Sequence, residues 1–295
     1  MEYVLGLDLG GSSIKAVTVT PEGHLLAEAK VPFVDRDREW AHSLRAMVAD
    51  FARQHDGPAR AIGLAAPGLV ARDGRWVAHL PGRLLGIEGL DWTEWLGRTS
   101  AVPVLNDAHA ALLGELWLGA ARGSQNVFLL TLGTGVGGAA VVDGKLLKGN
   151  LGRAGHLGHT VLDFLGPLDD VSTPGSLEYE IGNKNVVART GGRFPTTKAL
   201  VTAQLAGDPD AVRVWGRSIR ALAAGIASLI NVLDPEAVII GGGVADAGEA
   251  LFGPLRTELA RVEWRPGGAS VRLLPAQLGG LAGAYGAAWN ALVQK

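Results

Sequence analysis

Apolar residues come in short runs that end at glycine, separated by polar turns. Val4–Leu7 reads as a buried strand, 8–13 as a turn and Ile14–Val19 as a second strand. Pro21-Glu22-Gly23 turns the chain into a third strand from Leu25. Trp40, Leu44, Met47, Val48 and Phe51 keep helical spacing and predict an amphipathic helix. Short strands follow at Ala61–Ala65 and Val102–Leu105, then a helix over Ala108–Leu118. Val127 opens another strand–turn–strand. Val212, Trp215, Ile219, Leu222, Ile226, Leu229 and Leu233 mark one face of a long helix, stopped by Asp234-Pro235. Ala237–Ile240 is a strand before Gly241-Gly242-Gly243, and 281–293 is a last helix rich in small residues.

Two segments repeat. Val4-Leu5-Gly6-Leu7-Asp8-Leu9-Gly10 lies over Val127-Phe128-Leu129-Leu130-Thr131-Leu132-Gly133, and the turn at Pro21-Glu22-Gly23 over that at Asp143-Gly144. The repeat predicts two α/β domains, each opening with a β-hairpin. The predicted division is 1–107, with the C-terminal helix 281–295 returning to it, and 108–280. A chain of 295 residues, 47% of them apolar, suits two cores.

Net charge is −2 and no Lys/Arg run occurs, so nucleic-acid and membrane-surface roles have no electrostatic basis. There is no cysteine, which excludes disulfides and thiolate metal sites. No basic segment leads an apolar one at the N-terminus, and no apolar run reaches membrane-spanning length. A cytoplasmic protein is expected.

The glycine turns carry the first chemistry. Backbone N–H groups at such a turn converge on an anion without side chains in the way. Asp8 precedes and Lys15 follows the first turn, Gly10-Gly11; Thr131 and Thr134 flank the second, at Gly133. Together they suit a nucleoside triphosphate with Mg²⁺, Asp8 acting through metal-bound water. Either turn alone reads equally as an ordinary hairpin. Gly133–Gly138 also satisfies G-x-G-x-x-G, but the residues after it read as a strand rather than the helix a dinucleotide fingerprint needs, and no P-loop occurs. Asn106-Asp107 closes a buried strand ahead of a helix. The pair reads either as a helix cap or as a carboxylate placed to accept a proton.

These residues carry a family resemblance. Asn106-Asp107-Ala108, Gly114-Glu115, Thr131 through Gly138, Asp143-Gly144-Lys145-Leu146, Gly155-His156-Leu157-Gly158-His159, Gly175-Ser176-Leu177-Glu178, Asp8-Leu9-Gly10-Gly11 and Ile239 through Gly243 together resemble the ROK family of bacterial sugar kinases and sugar-responsive repressors. The resemblance implies an actin-like ATPase fold (ribonuclease H-like, duplicated) with its active site in a central cleft, a sugar kinase using ATP and Mg²⁺, and a homodimer. It implies Asp107 as general base and Asn106, Asp107, His159 and Glu178 as sugar-binding residues, with Gly68 and Gly138 bringing backbone close to the sugar. It puts the ATP phosphates at Gly10, Gly11, Gly133 and Thr134 and the adenosine near Gly242 and Gly243. Repressors of the family carry a DNA-binding domain ahead of the first phosphate segment; with that segment starting at Leu5, none is expected here. A lapsed sugar or nucleotide binder, or a kinase using polyphosphate, are the alternatives.

Two positions depart from the pattern. Family members commonly build a zinc site from the histidine matching His159 and three cysteines; here Ser176 stands at one cysteine position and no structural zinc is expected. Packing of Phe164 and Leu165 is expected to order that loop instead, with Asp169 and Asp170 solvated. His156 stands where the family has glutamate. Either it donates to an acceptor on the sugar, such as an acyl or ring oxygen, or it turns inward. The tryptophans at 76, 92, 95, 117, 215, 264 and 289 read as core or interface, and Arg36 to Glu39 as a solvated loop.

Overall fold

The computed structural model describes residues 2–294. In chain order its elements are β1 (Val4–Leu9), β2 (Ser13–Val19), β3 (Leu25–Pro32), α1 (Glu39–Gln54), β4 (Ala61–Ala66), β5 (Leu69–Val70), β6 (Val77–His79), α2 (Trp92–Trp95), β7 (Val104–Asn106), α3 (Asp107–Leu118), β8 (Val127–Leu132), β9 (Val136–Val142), β10 (Lys145–Leu146), α4 (Leu177–Ile181), α5 (Val186–Arg189), α6 (Thr197–Leu205), α7 (Pro209–Leu233), β11 (Ala237–Gly241), α8 (Glu249–Val262), β12 (Arg272–Pro275) and α9 (Ala282–Val293), with short 3₁₀ turns between them.

The chain forms two compact units. The first runs to Gly123 and takes in Lys148–Ala154 and the chain from Gln277; the second is Ser124–Leu147 and Gly155–Ala276. The first unit therefore holds α3 and the segment 148–154, which the sequence reading assigned to the second domain. Glycine explains α3's place. A β-carbon on Gly114 would collide with the Ala282 carbonyl, and one on Gly286 with the Ala110 carbonyl. Only bare backbone lets α3 and α9 approach this closely.

In the first unit the sheet order is β3-β2-β1-β4-β7. β1 and β2 pair antiparallel with Leu9 opposite Ile14, while β4 lies parallel to both β1 and β7. Trp40, Leu44, Met47 and Phe51 of α1 share a buried core with Leu5, Leu7, Leu9, Ile62 and Leu64. α9 lies on Gly6 and Gly63, where β-carbons would strike the Ala284 and Ala287 carbonyls. Parallel strands end at one edge, so the ends of β1, β4 and β7 deliver Asp8, Gly68 and Asn106-Asp107 to the same side of this sheet.

The second unit repeats the order as β10-β9-β8-β11-β12, with β8–β9 antiparallel and β11 parallel to β8 and β12. Thr131 pairs with Gly241, so the Gly133 turn and the Gly242-Gly243 turn leave one edge together. Trp215, Ile219, Leu222 and Ile226 of α7 fill the core against Phe128, Leu130 and Ile240.

Two local expectations are corrected. Arg38 is not a solvated loop residue: its guanidinium stacks 5.2 Å from the Trp95 ring centroid and 5.9 Å from that of Trp40. Trp264 is not core but exposed.

Candidate active site

The first unit gathers a set of charges at the end of its parallel strands. Asn106 is the cap of α3: its Oδ1 accepts from the Ala108 and His109 N–H groups at 3.0 and 3.3 Å. Its Nδ2 donates to the Gly68 carbonyl at 3.1 Å. Both ends of this buried amide are thus held by protein, and of the pair it is Asn106 that caps the helix. Asp107 is left with one local bond, from Ala108 N–H at 2.8 Å, and faces solvent. Its carboxyl is nonetheless held above the ordinary range. Loss of hydration to the surrounding protein outweighs the lowering by Ala108 N–H, by the Arg83 charge and by Asn106.

Asp8 closes β1 with only 13% of its side chain exposed. Burial lifts its pKa to about 7; Lys15, 3.8 Å away, opposes this, and Asp107 adds to it. A β-carbon on Gly283 of α9 would press against this carboxylate, at 2.9 Å from Oδ2. The turn beyond it is tight, with Gly10 N–H donating to the Ser13 carbonyl at 3.0 Å. Gly11 lies under the Arg83 guanidinium, where a β-carbon would collide with Nη2. A buried carboxylate that ionises only near neutrality favours a neighbouring cation, so Asp8 suits Mg²⁺ arriving with a triphosphate.

The second unit is furnished differently. The Gly133–Gly135 turn is tied to the chain after α4, because Asn183 N–H donates to the Gly133 carbonyl and Lys184 N–H to that of Thr134, both at 2.9 Å. Positions Gly133 and Gly243 open into free space, while Gly242, at φ +84°, packs against the Leu132 backbone. Glu178 is buried. Its Oε2 accepts Val136 N–H at 2.9 Å and its Oε1 meets Lys184 Nζ at 2.5 Å. Glycine at 135 is required because a β-carbon would strike the Glu178 carboxylate. Gly138 serves packing: a β-carbon there would lie 2.7 Å from both the Gly155 carbonyl and Leu157 Cβ.

The loop that lacks cysteines is ordered by an acid. His159 Nδ1 lies 2.8 Å from Asp169 Oδ2, and the Asp169 side chain has no solvent exposure. Burial alone would raise this carboxyl. Hydrogen bonds from His159, Thr173 N–H, the Ser176 hydroxyl and Val171 N–H more than offset that and hold it below its ordinary range. Ser176, fully buried, also caps α4 through Tyr179 N–H at 3.2 Å. The expectation that Phe164 and Leu165 pack the loop is overturned, since they are 77% and 82% exposed. Asp169 is likewise not solvated; Asp170 is, and pairs with Lys184 at 2.6 Å. Ligand atoms of His159, Asp169 and Glu178 lie within 4.8 Å of one another, a cluster whose negative charge Lys184 answers. His156 is half-buried at the head of the same turn, and burial, then the nearby His159, push its pKa down. It is neutral at physiological pH.

Sequence reasoning missed Arg83, Asp169 and Lys184. None sits in a periodic element, and what marks each is a tertiary neighbour. Among the described residues no helix is long and apolar enough to cross a membrane.

The model of the ROK family matches residues 4–294. The chain is 33% identical over 277 residues to a glucokinase of Thermotoga maritima, covering 87% of this chain and 86% of that protein. It is 30% identical over 295 residues to an N-acetylmannosamine kinase of Escherichia fergusonii, covering 99% of each. A ROK family glucokinase from Streptomyces griseus, solved with glucose and AMPPNP, superposes with a TM-score of 0.79 at 30% identity, over 98% of this chain and 99% of that one. The strand ends that hold Asp8 and Asp107, the glycine turns and these likenesses agree, and the chain belongs to the ROK family.

Proposed function

We infer that Asp107 is the general base of this ATP-dependent sugar kinase. The observation that carries the reading is the placement of Asp107. It stands just past the end of β7, close enough to Asp8 for its charge to act there, relieved of capping by Asn106, with its carboxyl raised above the ordinary range. A base acts best when its pKa approaches the working pH. Asp107 takes the proton of an acceptor hydroxyl as that oxygen bonds to the γ-phosphorus; the bond to the β–γ bridging oxygen breaks, and ADP leaves with the electron pair. Gly11 and Thr134 offer backbone N–H groups to the phosphates, while Gly10 and Gly133 spend theirs on the Ser13 and Gly135 carbonyls and hold the two turns tight around them; Lys15 and Thr131 stand beside them, and Gly242 and Gly243 take the adenosine. Asp8 would hold Mg²⁺ through its waters, and the ion would supply positive charge to the phosphate oxygens. Glu178 and His159 accept sugar hydroxyls, and Gly68 carries backbone to the sugar. The same reading includes a homodimer in the cytoplasm, on the family resemblance. A panel of hexoses with ATP and Mg²⁺, and polyphosphate as an alternative donor, scored by sugar phosphate formed, tests it. A wild-type protein that phosphorylates none of them would return the reading to a binder.

One observation narrows the sugar. His156 is held neutral by burial, and a neutral imidazole both donates and accepts where the family's glutamate only accepts. On that difference in chemistry, a sugar carrying an acceptor such as an acyl oxygen stands beside glucose as a candidate substrate. His156→Glu should move the preference toward glucose by about tenfold, the size expected for one buried hydrogen bond. An unchanged ranking of the two sugars refutes the assignment.

A further inference from the structure

We propose that Arg83 is a catalytic residue of the phosphoryl transfer, its guanidinium contacting the γ-phosphoryl group as it passes from ADP to the sugar. The proposal rests on the kinase reading above.

Three observations carry it. The first is position. A β-carbon on Gly11 would lie 3.6 Å from Arg83 Cζ and collide with Nη2, so the guanidinium rests on the bare backbone of the first phosphate turn. On its other side, its charge acts on the Asp107 carboxylate. One cation therefore touches the anion cradle and acts electrostatically on the base.

The second is valence. Among the described residues no hydrogen bond or ion pair engages the Arg83 guanidinium, whereas Lys15 is drawn to Asp8. Five N–H donors in a planar fork stand open, and that fork matches two phosphoryl oxygens at once.

The third is anchoring. Arg83 is exposed, but Leu84 behind it is fully buried. Leu84 N–H donates to Asp35 Oδ2 at 2.7 Å, and its carbonyl accepts Ile87 N–H at 3.0 Å. Leu84 is held at φ +47°, a left-handed conformation that a leucine rarely adopts and that costs on the order of 1 kcal/mol or more. The fold tolerates this strain at the residue that fixes where the Arg83 backbone points.

In the step itself the acceptor hydroxyl gives its proton to Asp107, its oxygen bonds to the γ-phosphorus, and the bond to ADP breaks with the electron pair leaving on ADP. Arg83 gains and loses no proton. It neutralises charge on the equatorial oxygens, which grows nowhere else so near the base. It also keeps Asp107 ionised at a lower pH than burial alone would allow.

The test uses the whole protein with ATP, Mg²⁺ and a sugar that the wild type phosphorylates. Arg83→Ala should lower kcat by about 10²–10³-fold while the sugar KM stays within about threefold. Arg83→Lys should recover only a minor part of that, because an ammonium cannot fork two oxygens. Added guanidinium ion should restore activity to Arg83→Ala and not to the wild type. The acid limb of the Arg83→Ala pH profile should move to higher pH, a shift that a purely structural role would not produce. Circular dichroism and Tm should match the wild type, since the side chain is exposed. An unchanged kcat, or a loss confined to the sugar KM, overturns the assignment while leaving the kinase reading intact. A wild type inert toward every sugar fells both.

Discussion

The two sheets share one strand order, yet their glycine turns sit among opposite electrostatics. In the first unit the acids are short of partners. Asp8 has Lys15 at 3.8 Å and a pKa near 7, and Asp107 has a single backbone N–H from its neighbour and a raised carboxyl. In the second unit the acids are saturated. Glu178 holds Lys184 and Val136 N–H, and Asp169 takes His159, Ser176 and two backbone N–H groups. Duplication supplied the scaffold twice, and the ionisable groups were then divided. On the proposed reading, the unsatisfied acids are those that handle a proton and a metal, and the satisfied ones lie where a sugar is met by fixed hydrogen bonds.

That contrast makes predictions of opposite sign. Removing a saturated acid should destabilise. Asp169→Ala would strand a half-buried imidazole, a buried hydroxyl and two N–H groups, at a cost of about 3 kcal/mol in unfolding free energy by urea titration. Removing an unsatisfied acid should do the reverse. In the folded protein Asp8 holds its proton up to about pH 7, whereas the unfolded chain releases it near the ordinary 3.8. The folded state binds more protons between those values, so this group lowers stability as pH rises through them and leaves the penalty fully present above about pH 7. Asp8→Asn should therefore gain about 2 kcal/mol at pH 8, little at pH 4, and lose activity with Mg²⁺-ATP. For Asp169, whose pKa is depressed, the sign inverts: its stabilisation is present above the ordinary carboxylate range and lost as acid protonates it. The smallest effect belongs to the exposed loop residues. Phe164→Ser and Leu165→Ser should change Tm by the equivalent of less than about 0.5 kcal/mol. A large loss from either would mean that apolar packing, not Asp169, orders the loop.

How much of this the sequence disclosed follows from how local each signal is. The strands, α1 and α7 were legible because burial prints a period onto neighbouring residues. The repeat was legible because glycine turns must recur where backbone does the work. The place of α3 was not, since Gly114 reports only that something lies close and not that α9 supplies it. The loop after His159 was misread for a related reason. Phe164 and Leu165 look like core by composition and Asp169 like surface, and the exchange depends on Ser176 and His159 arriving from elsewhere in the chain. Arg83 carried no pattern at all. Its meaning comes from Gly11 and Asp107, distant in sequence on either side.

The division of labour is tested most directly by steady-state kinetics of Asp107→Asn and Glu178→Gln, run together on the preferred sugar. Asp107→Asn should lose about 10³-fold in kcat with the sugar KM within about threefold. Glu178→Gln should raise the sugar KM about tenfold and keep kcat within about fivefold. The account is contradicted if Asp107→Asn retains wild-type turnover, or if Glu178→Gln loses kcat with an unaltered KM.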